Sequence, residues 1–142
     1  MSDRFFLDTN IFIYSFDQTA KAKSRVAQDL IDRAVGTKKG IVSYQVVQEF
    51  FNVALRRWLQ PMSLADAEQF LAITFRPLLT VYPSIGLYGE ALRLQQQSSI
   101  GWYDSLIVAS AVEGRCTILF TEDLQDGRKF GDLRVRNPFA KI

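Results

Sequence analysis

Histidine is absent from this 142-residue chain. That absence removes Ser-His-Asp and Cys-His nucleophilic schemes, together with every zinc site that needs an imidazole. Cysteine occurs once, as Cys116. Neither an intrachain disulfide nor a thiolate cage can form, and a reducing cytoplasm is the expected compartment. Proline and glycine are sparse and form no linker-like cluster, and there is no repeat or low-complexity run. No apolar stretch approaches the roughly 20 residues of a membrane span. Met1-Ser2-Asp3-Arg4 lacks the basic and then apolar opening of a secretory signal. The net charge of +2 is too small to point to nucleic acid by itself. Any catalysis must therefore rest on carboxylates, hydroxyls, lysine or a metal held by oxygen.

What is present suits one globular domain over residues 1–142. The chain is 48% hydrophobic and 23% charged, ordinary values for a packed core with a solvated surface. Short β-rich runs alternate with longer helical ones. This predicts an α/β fold, an α/β/α sandwich on a mostly parallel central sheet. The predicted strands are Arg4–Leu7, Gly40–Ser43, Leu78–Val81, Thr117–Phe120 and Leu133–Val135. Predicted helices run over Ala22–Val35, stopped by Gly36, and over Tyr44–Leu59, stopped by Pro61. Another opens at Ser63 with Asp66 as a capping box and stops before Pro77. Two more run from Ser84 to about Ser98 and from Trp102 or Tyr103 to Gly114. The two helices within about 44–76 should form a projecting αα hairpin. Basic residues gather as Arg56 with Arg57, as Lys38 with Lys39, and as Arg128, Lys129, Arg134 and Arg136. Each group reads as a solvated face or as phosphate contacts.

The acids are more specific. Arg4-Phe5-Phe6-Leu7-Asp8 is an apolar strand that ends on a carboxylate, and open α/β sheets bind ligands outside the carboxyl ends of their strands. Asp8-Thr9-Asn10 is also good turn chemistry. Thr117-Ile118-Leu119-Phe120-Thr121-Glu122-Asp123 repeats the design and places an acid at the same sheet edge. Asp123 is the first candidate there, with Glu122 and Asp126 as alternatives. Glu49 falls on a helical stripe with Val46, Phe50, Val53 and Ala54, where the pattern calls for an apolar side chain. Asp104 likewise heads a stripe of Ile107, Val108, Ala111 and Val112, although an acid in a first turn also gains from the helix dipole. An unpaired carboxylate on an apolar face is costly, and a metal ligand would explain its placement.

Asp8, Glu49, Asp104 and Asp123 gathered at one point would repel one another unless a cation neutralised them. An all-oxygen donor set suits Mg²⁺, with Mn²⁺ as a substitute. Such ions lower the pKa of an attacking water and take up charge on a departing oxygen, so phosphodiester hydrolysis needs no histidine. Asn10, Ser43 and Thr121 stand where they could orient the acids, or could simply make turn and strand-end hydrogen bonds.

The motifs Leu7-Asp8-Thr9-Asn10-Ile11, Val46-Val47-Gln48-Glu49-Phe50, Trp102-Tyr103-Asp104-Ser105-Leu106-Ile107 and Leu119-Phe120-Thr121-Glu122-Asp123 resemble the PIN-domain ribonucleases. The likeness is greatest to the VapC-type toxins of type II toxin–antitoxin systems. Asn137-Pro138-Phe139 fits that group too. The resemblance implies that Asp8, Glu49, Asp104 and Asp123 form a metal-binding catalytic quartet, with Asp8 and Asp104 the most direct Mg²⁺ ligands. It also implies an RNA substrate, a homodimer, and a cognate antitoxin that packs against the hairpin at 44–76, where Trp58 could face the partner. A catalytically silent partner-binding module is the alternative. A weaker one is an aspartyl-phosphate phosphatase with Asp8 as nucleophile, where Asn10 stands in place of the usual second acid.

Overall fold

A computed structural model describes residues 2–142. In chain order the elements are β1 (Arg4–Leu7), α1 (Thr9–Tyr14), α2 (Lys21–Thr37), β2 (Gly40–Ser43), α3 (Tyr44–Arg56), α4 (Leu64–Phe70), α5 (Arg76–Leu78), β3 (Leu79–Val81), α6 (Ile85–Ser98), α7 (Trp102–Glu113), β4 (Cys116–Phe120), β5 (Lys129–Phe130) and β6 (Leu133–Arg136). They form one six-stranded sheet in the order β3-β2-β1-β4-β6-β5. Every pairing is parallel except β5 with β6. The α/β architecture with a mostly parallel sheet is therefore as expected. From β1 the chain winds outward through β2 to β3, then returns to lay β4 on the other side of β1. The carboxyl ends of β1 and β4 flank that reversal, the place where such sheets open a crevice.

Successive strand residues point to opposite faces, and β2 demonstrates the two layers. A Cβ placed on Gly40 would lie 2.2 Å from the Ala34 Cβ of α2, whereas one on Gly114, just after α7, would lie 2.1 Å from the Cδ1 of Ile41. Thus α2 covers one face and α7 the other. Every residue of α7 from Ser105 to Ala111 is buried. That helix is enclosed nearly all round, so its apolar residues do not form a stripe. Val112, expected on the buried face, is 41% exposed, because the helix leaves the core in its last turn.

Aromatic packing joins the helices within residues 44–76 to one another and to α1. Phe12, Phe50 and Phe75 are fully buried; Phe50 stacks on Phe70 at 5.0 Å and Phe12 meets Phe75 at 4.9 Å. Trp58, which could face a partner, is half-buried and packs one side against Phe16 and Phe50.

Several expected boundaries are corrected. Gly36 does not stop α2, which continues to Thr37 and ends with Lys38 in the left-handed region. Helix α3 ends at Arg56 rather than Leu59, where the Val53 carbonyl accepts from both Arg57 and Trp58. Pro77 does not end the helical stretch: a π-type turn over Leu71–Phe75 leads into α5, whose opening accommodates a proline that has no N–H to offer. Thr9 and Asn10, read as turn residues, open a helix not expected from the sequence, α1.

The two glycines make a direct test. Gly40→Ala should destabilise the fold by about 1–3 kcal/mol, because Ala34 presents backbone as well as side chain at that contact. Gly36→Ala, where nothing lies within 4 Å, should be neutral or should stabilise by up to about 1 kcal/mol. Urea denaturation of both variants reads the difference.

Candidate active site

Asp8 is placed by three backbone features. Its N–H donates to the Phe120 carbonyl of β4 at 3.1 Å, its φ and ψ of −73° and 164° are extended, and its side chain caps α1. The carboxylate is buried. One oxygen accepts from the Thr9 N–H at 2.7 Å and the other from the Thr121 hydroxyl at 2.8 Å. Thr121 in turn accepts from the Asp123 N–H at 3.1 Å, so one hydroxyl couples the two strand-end acids.

A cavity of about 170 Å³ opens at this point. Asp8, Thr9, Asn10, Gln45, Glu49, Tyr103, Asp104 and Asp123 line it, with Ile13, Val53 and Ile107 as its apolar wall. The lining contains four carboxylates and neither lysine nor arginine. Glu49 is half-buried on α3 and its Oε1 accepts from the Thr9 hydroxyl at 2.8 Å. Asp123 lies at the exposed rim, where the Asn10 amide donates to both of its oxygens at 3.3 Å. Asp104 enters from the first turn of α7. The acids ring the cavity, most with a separate donor; among the described residues no three of them stand close enough to form a ready metal cage.

The competing acids of the β4 loop are turned elsewhere. Glu122 accepts from the Tyr14 hydroxyl at 2.8 Å and lies 3.7 Å from the Lys23 ammonium. Asp126 accepts from the Asn137 N–H at 2.9 Å, fastening the loop to the C-terminal segment. Ser43 is buried but its hydroxyl has no partner, so neither strand-end hydrogen bonding nor support of an acid is seen there. Two lining residues escaped the sequence reading. Gln45 lies four residues before Glu49 and hence on the same helical face, and its amide donates to the Tyr103 carbonyl at 3.3 Å while its Oε1 is buried without a partner. Tyr103 is Asp104's neighbour. The i,i+4 spacing was the available signal for Gln45.

The electrostatics follow from this crowding. Burial pushes the Asp8 carboxyl up to about 7; the Thr121 and Thr9 hydrogen bonds oppose the rise and the charges of Asp123 and Glu49 add to it. Burial also raises Asp104. Asp123 is raised by burial first and then by Asp104, Glu122 and Glu49. A buried polar oxygen on Gln45, an all-oxygen donor set and a buried carboxyl whose pKa is raised for want of a countercharge fit a hard divalent cation.

These shifts fix a sign for stability. The unfolded Asp8 ionises near 3.8 and the folded one near 7. Between those values unfolding releases a proton, so stability falls as pH rises through the window, by up to about 4 kcal/mol. Asp8→Asn removes the charge. In chelator its stability should exceed that of the parent at pH 8, and the gap should close near pH 4. Denaturation at the two pH values measures this, and a gap independent of pH would contradict it.

The sequence matches the PIN domain family over residues 5–128, a span that holds all four lining acids. Two solved structures share the fold at 20% sequence identity: a toxin–antitoxin complex from Klebsiella pneumoniae (TM-score 0.66), and VapBC2 from Rickettsia felis bound to a DNA fragment from their promoter (TM-score 0.59). Each comparison covers 94% of this chain and 97% of the other. No curated protein sequence matches significantly. The chain belongs to the PIN domain family.

Proposed function

We propose that this PIN protein is a divalent-metal-dependent endoribonuclease, a phosphodiester hydrolase of the cytoplasm, and the toxin of a toxin–antitoxin pair. The observation that carries the reading is the lining of one cavity by four carboxylates, one of them buried, with no basic side chain among them. Membership of the PIN family supports nuclease chemistry, and the two similar folds, one in a toxin–antitoxin complex and one in VapBC2 bound to promoter DNA, support the biological setting. No described helix is long and apolar enough to cross a membrane.

In this reading Asp8 and Asp104 would hold Mg²⁺, with Mn²⁺ as substitute, and Glu49 and Asp123 would complete the binding set. When bound, such a cation supplies Lewis acidity toward water and phosphate oxygen and cancels the repulsion among the acids. The remaining work belongs to the chain. Thr121 fixes the direction of Asp8 through its hydroxyl, Thr9 does the same for Glu49, and Asn10 for Asp123. Glu49 or Asp123 would receive the proton lost by the attacking water. Ile13, Val53 and Ile107 keep one wall apolar, which strengthens charge interactions inside.

The antitoxin's seat would be the hairpin. Leu59 is fully exposed and Leu64 and Ile73 largely so, and a cavity of about 700 Å³ lies beside them, lined by Phe16, Trp58, Met62, Phe70 and Ile73 among others. A homodimer completes the proposed assembly. An aspartyl-phosphate mechanism fits less well, since Asn10 stands in place of the usual second acid and its amide is held on Asp123. The silent binding module is favoured by one observation, the acids' failure to converge into a cage, and activity decides against or for it.

Purified protein should cleave RNA in Mg²⁺ or Mn²⁺ and lose the activity in EDTA. Asp104→Asn should abolish cleavage while leaving the urea midpoint near that of the parent. Thr121→Val should lower kcat by about 10–100-fold, as loss of a ligand-orienting group does. Cleavage that survives both EDTA and Asp104→Asn would overturn the reading.

A further inference from the structure

The basic residues of the C-terminal segment divide between the two faces of the sheet. Arg128 belongs to the α7 side, donating to the Ser98 carbonyl at 2.7 Å and lying over the Phe130 ring. The others do not. Residues paired across adjacent strands share a face. Arg134 pairs with Ile118 on one side and with Lys129 on the other, and Arg136 pairs with Phe120. Ile118 and Phe120 pair in turn with Phe5 and Leu7. Arg33 of α2 marks that face, since its guanidinium stands 4.7 Å from the Phe5 ring and 5.7 Å from the Phe120 ring.

On this side the sheet is incompletely covered beyond β1. Ile118 and Phe120 are half-buried, while Lys129, Arg136 and Arg33 are exposed. None of the four cations takes part in an ion pair among the described residues, whose pairs are Lys23–Glu122, Lys39–Asp3 and Arg93–Glu90. Asp29 and Asp32, exposed on α2, do not neutralise Arg33. Arg134 and Arg136 stand two residues apart on one strand, an axial interval of roughly 6.6 Å close to that between successive phosphates of an extended polynucleotide. The surface also reaches the active site: the Arg136 carbonyl accepts from the Thr121 N–H at 3.1 Å, and the Thr121 hydroxyl holds Asp8.

We propose that Lys129, Arg134 and Arg136, with Arg33 held over Phe5 and Phe120, form a phosphate track on the α2 face of the sheet that carries single-stranded RNA leading to or from the Asp8 cavity. The proposal rests on the nuclease reading and adds to it a path for the substrate. The contacts are to the backbone and carry no base sequence, so the track sets affinity and register while selection occurs elsewhere. Its charge complements RNA, and the repulsive acids of the cavity need such an attraction beside them to bring in a polyanion at all.

Binding of a fluorescent single-stranded RNA oligonucleotide, measured in EDTA over a series of salt concentrations, tests it. The triple variant Lys129→Gln, Arg134→Gln, Arg136→Gln should bind about 10-fold or more weakly at low salt, and its plot of log affinity against log salt should be shallower by about 2, from three lost phosphate contacts at about 0.7 each. Arg134→Lys with Arg136→Lys keeps the charge and should keep the slope, whatever it does to packing. Lys39→Gln with Arg93→Gln, which removes charge elsewhere, should change the slope by less than half as much. An unchanged slope in a triple variant with a native urea midpoint overturns the track. Loss of binding to poly-glutamate or anionic vesicles, with RNA binding intact, overturns RNA as its occupant. A shallower slope in a protein that never cleaves RNA would leave the track standing and overturn the nuclease reading.

Discussion

The hydroxyl of Thr121 donates to the buried carboxylate of Asp8, and the rest of the site is organised around that contact. It joins the ends of β1 and β4, the two strands on either side of the point where the sheet reverses direction. The same threonine accepts from the Asp123 N–H, while its own N–H donates to Arg136 at the end of β6. Asp8 meanwhile caps α1, and the first two residues of that helix hold Glu49 and Asp123. One short helix and one hydroxyl thereby bring donors to three carboxylates from three separate parts of the chain.

The arrangement stores an electrostatic cost at the cavity. Asp8 is buried and protonated up to about pH 7, Asp104 and Asp123 are both raised, and the lining offers no lysine or arginine. A fold selected for stability alone would place leucine or asparagine at such positions; sites that work by binding charge commonly give up stability in this way. The large aromatic cluster of Phe12, Phe50, Phe70 and Phe75 packs α1 and α3, the helices that carry Asn10 and Glu49, against each other and against the segment after α4. That packing supplies the rigidity that isolated, mutually repelling carboxylates lack.

Much of this is legible in the residues. Strands β1 and β2 follow from their short apolar runs, and β3 and β4 are placed to within one residue. Asp8 is legible because it follows β1 directly, and an acid near the end of β4 is legible because Thr121-Glu122-Asp123 repeats that design just past the strand. Glu49 is legible because it breaks a stripe. Asp104 is less so: α7 is buried around its whole circumference, so the stripe that singled it out reflects hydrophobicity at every position. Helix α1 is hidden because Ile11, Phe12 and Ile13 are as suited to a strand as to a helix, and because Asp-Thr-Asn serves equally as turn and as cap. The two-residue strand β5 has no periodicity to detect. Which acid of the β4 loop faces the cavity depends on Tyr14 and Lys23 capturing Glu122, contacts more than 95 residues apart in sequence that no local pattern encodes.

The central claim is that Asp8 carries a charge deficit that a divalent cation fills. The carboxyl carbon of Asp8, followed by ¹³C NMR as pH is varied, measures that state directly. In metal-free protein it should titrate near pH 7, and with saturating Mg²⁺ the midpoint should fall well below that value. A midpoint near 4 in the metal-free protein, unmoved by Mg²⁺, would contradict the account.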